Sequence, residues 1–109
     1  MKRLATALVT SLITISSVSA GPGTVTAVND DNADLYVSVW DLNTADQKQI
    51  WDRQRLNDSK QLPLTVEIDG NGQARIKWTS VRTAPSDKPK TKDGIAVNEN
   101  DNFYVDTRQ

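Results

Sequence analysis

Leu64, Val66 and Ile68 alternate with Thr65 and Glu67, Asp69-Gly70-Asn71-Gly72 interrupts the run, and Ala74, Ile76 and Trp78 then alternate with Arg75, Lys77 and Thr79. A period of two puts successive side chains on opposite faces of a strand. Asp-Gly and Asn-Gly supply the positive backbone angles that a tight reversal demands. The segment therefore reads as a β-hairpin with one buried and one wet face.

The same period recurs along the chain, cut at short intervals by polar turn clusters. Thr24 to Asn29, Leu35 to Leu42, Gln49 to Leu56, Leu64 to Ile68, Ala74 to Arg82, Ile95 to Val97 and Phe103 to Thr107 read as seven strands. Leu35, Val37 and Val39 line one face of the second strand, while Tyr36, Trp40 and Leu42 make its other face apolar too, so it is expected to be central and covered on both sides. Trp40 and Trp78 are assigned to the core or its rim. Thr44 to Leu56 has a helical alternative, with Ile50, Trp51 and Gln54 spaced behind a Thr44 or Asp46 cap. Arg82 to Gly94, with Pro85, Pro89 and three lysines, reads as one long loop. Short strands with such regular turn signals predict an all-β fold, a small two-sheet antiparallel β-sandwich of immunoglobulin-like or C2-like kind with about seven strands.

Met1 to Ala20 has the layout of a secretory signal peptide. Lys2 and Arg3 precede a mostly apolar Leu4 to Ile15, and Val18-Ser19-Ala20 offers a small-residue cleavage site. The apolar run is shorter than a membrane span and is broken by Thr6, Thr10, Ser11 and Thr14. The expectation is a single domain, Gly21 to Gln109, exported to a periplasm or beyond the cell and without a membrane anchor. Removing twenty residues from 109 leaves 89, with 11 basic residues against 14 acidic ones and a formal charge of −3. That balance argues against nucleic acid as a partner.

The chain contains no cysteine and no histidine. Thiolate and imidazole chemistry, the Ser-His-Asp arrangement and the usual zinc sites are therefore excluded. No glycine spacing fits a phosphate-binding loop. Paired carboxylates remain, so a small carboxylate-based hydrolase is the enzymatic alternative, although a domain of this size offers little volume for a substrate cleft.

Three places carry candidate binding chemistry. In an antiparallel sandwich successive loops alternate between its two ends, which gathers Asn43 to Lys48, Asp69 to Gly72 and Asn98 to Asn102 at one of them. Asp46, Asp69, Asn71, Glu99, Asn100 and Asp101 then offer oxygen ligands of the kind calcium takes. Turn chemistry accounts for the same residues, because Asp and Asn side chains mimic backbone turns, and the same holds for Asn29 to Asn32. The second place is Trp51, Arg53 and Arg55, which strict alternation puts on one face. Trp flanked by Arg is the composition of recognition hot spots or of a sugar-stacking platform. It also suits a cation-π ladder that binds nothing. The third is Lys88, Lys90 and Lys92, either a comb for an anionic surface or a solvated loop, with Asp87 and Asp93 diluting its charge.

These features lead to the expectation of an exported, non-enzymatic binding module that recognises a protein or a glycan through a sheet face or loop end. A calcium-dependent ligand-binding sandwich is the alternative, and no other cofactor is expected.

Overall fold

The computed structural model describes residues 19–84 and 88–109. The predicted signal peptide, apart from Ser19 and Ala20, lies outside the described residues, as do Pro85 to Asp87 of the predicted long loop.

The described residues fold as an all-β sandwich without helix. Its strands are β1 (Ser19–Asn29), β2 (Leu35–Asp41), β3 (Gln49–Leu56), β4 (Gln61–Asp69), β5 (Gln73–Arg82), β6 (Lys90–Asn98) and β7 (Asn102–Val105). One sheet has the order β4-β1-β7 and the other β3-β2-β5-β6. Every pairing is antiparallel except that of β1 with β7, which is parallel. Alternating strand direction requires this exception: β1 and β7 both run the same way, so placing the last strand beside the first makes a parallel pair. The expected two-sheet sandwich of seven strands forms, antiparallel except at that seam.

The core forms where the inward positions of both sheets meet. Val25, Ala27, Leu64, Val66, Phe103 and Val105 come from one sheet. Leu35, Val37, Val39, Leu56, Ala74, Ile76 and Trp78 come from the other, and all are buried. Gly23 permits the close approach of β1 and β4, since a Cβ there would stand 2.5 Å from Ile68 Cγ1.

Two local expectations change. β2 is central, as expected, but only its inner face is covered by another layer, and Trp40 lies on the outer face beside Lys77 (5.2 Å from ring centroid to Nζ). Trp78 is buried in the core as expected. The expected third strand forms as the edge strand β3, in place of the helical alternative over Thr44 to Leu56. The long loop is shorter than its composition implies, because residues from Lys90 onward pair with β5. Lys90 lies opposite Ser80 and binds Asp106 Oδ1 at 2.6 Å, so it is not one tooth of a solvated comb.

Candidate functional site

The β3 strand does not keep the alternation its sequence suggests. Val39 pairs with Trp51 and Val37 with Gln54, so Asp52 and Arg53 together oppose Ser38 in a β-bulge. Arg53 adopts φ 55°, and its N–H donates to Ser38 Oγ at 3.1 Å. Residues directly opposite in an antiparallel pair share a face. Trp51 therefore lies on the core side with Val39, half-buried and packed against the core. Arg55 faces outward with Tyr36, and the guanidinium carbons of Arg53 and Arg55 lie 4.7 Å and 5.9 Å from the Tyr36 ring centroid. Strict alternation groups Trp51, Arg53 and Arg55 together; the bulge divides them between two surfaces.

Trp51 borders a groove of about 430 Å³ between β3 and β4, the facing edge strands of the two sheets. Ile50, Trp51, Leu64 and Val66 form its apolar side, and Lys48, Thr44, Thr65 and Glu67 supply polar groups. The backbone of β4 is directed into this opening. Thr26 N–H donates to Asp101 C=O at 3.0 Å and Thr24 C=O accepts from Asn100 N–H at 2.7 Å, so both threonines spend their backbone groups toward β7. Their partners on β4, Thr65 and Pro63, belong to pairs without mutual hydrogen bonds, whose backbone groups point away from β1.

Glu67, two residues on, has the same outward direction and is capped. Its N–H donates to Asp41 Oδ2 at 2.8 Å and its C=O accepts from Asn43 Nδ2 at 2.9 Å. Asp41 is buried and its other oxygen accepts from Asn43 N–H. The two side chains replace a neighbouring strand at that one residue. Pro63 has no N–H, which leaves Thr65 as the position where the β4 edge presents both a donor and an acceptor to the groove.

The expected loop end does assemble: Glu99 N–H donates to Gly72 C=O, Gln73 Nε2 to Asn98 Oδ1 and Asn43 Nδ2 to Gln73 C=O. Two of its carboxylate oxygens are engaged in turns. Asp69 Oδ1 accepts from the N–H groups of Asn71 and Gln73, and Asp101 Oδ1 from that of Asn102. Asp46 is exposed on the preceding loop. Among the described residues no group of three or more Asp, Glu, His or Cys side chains is placed to hold a metal ion.

At the opposite end, Asp31 binds the C-terminal segment, a role no sequence pattern indicated. Burial raises the free energy of its carboxylate. Hydrogen bonds from Thr107 Oγ1, Arg82 Nη2 and the N–H groups of Asn32 and Thr107 outweigh that and hold its pKa well below the usual carboxylate range. Asp34 is shifted down as well, chiefly by the Asp58 N–H and then by Arg55.

Comparison with protein-family models, curated proteins and solved structures finds no match to the chain.

Proposed function

We propose that the exported domain is a non-enzymatic binding module whose ligand is an extended protein segment laid in the groove between β3 and β4. The observation that carries this reading is the coincidence, at one opening, of an apolar wall with Trp51 and an outward-directed strand edge at Thr65. Extended peptides are recognised by such pairs of features, with main-chain hydrogen bonds supplying affinity and side-chain pockets selecting residues. The volume lies in the range of binding sites, and a partly exposed Trp beside aliphatic side chains is the kind of anchor that dominates interface energies. Asp31 and Asp34 are both held below the ordinary carboxylate pKa, opposite to what a general acid at neutral pH needs. That favours recognition over hydrolysis.

Selection from a random peptide library on the immobilised exported protein tests the reading. The expected peptides alternate apolar residues and lose binding to Thr65→Arg, which fills the groove without touching the core, and to Lys48→Glu at its lip. Selected peptides that bind Thr65→Arg as well as the parent would place the ligand elsewhere.

A further inference from the structure

The outer face of the four-stranded sheet is independent of the groove. Ala74, Ile76 and Trp78 point into the core, so Arg75, Lys77 and Thr79 point out. The register puts Lys77 beside Trp40, Thr79 beside Ser38 and Val81 beside Tyr36. Arg53 and Arg55 reach the same face from β3, where the bulge turns Arg53 onto Tyr36. Four cations thus share one face of a domain whose formal charge after export is −3. Arg55 is anchored at the border by Asp34 Oδ2 (3.1 Å) and Asn57 Oδ1 (2.8 Å). Asp52 and Asp93 occupy the bulged stretches of the two edge strands flanking the face.

We infer that this face binds an anionic polysaccharide, with Arg53, Arg75 and Lys77 meeting its carboxylate or sulfate groups over the Tyr36 and Trp40 platform. The geometry separates this ligand from a nucleic acid. Single-stranded nucleic acids are held by stacking bases on open aromatic rings, whereas here cations lie against both rings. A guanidinium stacked on a ring keeps its N–H edge free to pair with a planar or tetrahedral anion, and stacking reduces the entropy lost when it does so. Arg53 on β3 and Lys77 on β5 are two strands apart, about 10 Å, a spacing that suits charges on alternate sugars of a polymer. The ion pairs formed are exposed, so binding requires several at once and weakens with salt.

Retention of the exported protein on an immobilised sulfated polysaccharide at low ionic strength tests the inference. The expected result is retention despite the negative net charge. Arg53→Gln with Lys77→Gln should weaken affinity at least about tenfold, the loss of one or two charge-assisted contacts. Lys48→Gln with Lys60→Gln removes the same charge elsewhere and should leave affinity within about twofold. Arg75→Gln, an exposed single change, provides a second reading of the face should the double variant fail to fold, and should weaken binding about threefold. Failure of the parent protein to bind, an equal loss in the Lys48 and Lys60 pair, or tighter binding of single-stranded DNA than of polysaccharide would each overturn the inference. Binding to this column is not expected to change in Thr65→Arg, which keeps the test separate from that of the groove.

Discussion

A carboxylate taken out of water costs free energy unless its lone pairs are satisfied, and Asp31, with a side chain 1% exposed, meets that condition through the C-terminal segment. Thr107 supplies both its N–H and its hydroxyl, and Arg82 supplies a guanidinium N–H at 2.9 Å. Ser80 donates to Asp106 C=O, and Lys90 and Arg108 pair with the Asp106 carboxylate, so the four-stranded sheet holds the segment alongside the β1–β2 loop. Asp31→Asn should cost about 2 kcal/mol and lower the melting midpoint by roughly 8–16 °C for a domain of this size. Because the folded pKa is depressed, this stabilisation is complete above the unfolded pKa near about 4 and fades as pH falls from there toward the folded value. Melts of parent and variant across pH should show a constant gap above about pH 5 that narrows below pH 4. A gap that widened in acid would reverse the assignment.

At the scale of elements, each sheet edge carries a feature that discourages pairing with another chain. β3 has the bulge at Asp52 and Arg53, β4 has Pro63, β6 has a bulge at Asp93 and Gly94, and β7 is four residues long. The bulge on β3 also decides which side chains meet. A regular strand favours β-branched residues, whereas φ 55° penalises them. Arg53→Val should therefore destabilise by about 1–2 kcal/mol, and Arg53→Gly, which relieves the angle but loses the contact with Tyr36, should stay within about 1 kcal/mol of the parent. Chemical denaturation of both variants separates the cases, since an unbulged β3 would make Val the more stable of the two.

That bulge explains what was and was not legible beforehand. Alternation located all seven strands and most of the core, because burial of Leu35, Val37, Val39, Ala74, Ile76 and Trp78 follows directly from a period of two. A bulge inserts one residue and inverts the faces beyond it, and nothing in Trp51-Asp52-Arg53-Gln54 announces it. Trp51 was thus identifiable as a candidate, but its groove and its separation from Arg53 were not. Asp31 and Asp41 were hidden for another reason: an Asp before a polar turn has the same local sequence whether it faces water or is buried by partners distant in sequence. The lysines of β6 read as loop because prolines and charges dominate the stretch, while pairing with β5 prevails in the fold.

Across the described residues the two candidate surfaces are distinct. Arg53, Arg55, Arg75 and Lys77 share the outer face of the four-stranded sheet, while the opening between the sheets at β3 and β4 combines an apolar wall with polar groups. On the proposed function, this opening is the ligand site. Amide NMR of the isotope-labelled protein, titrated with a library-selected peptide, distinguishes this opening from the other surfaces. Binding in the groove should slow hydrogen exchange at the Thr65 amide and shift the Trp51 indole, with Lys77 and Tyr104 unmoved. Shifts confined to the outer sheet faces or to the Asp69 to Gly72 turn, with Thr65 exchanging as before, would contradict it.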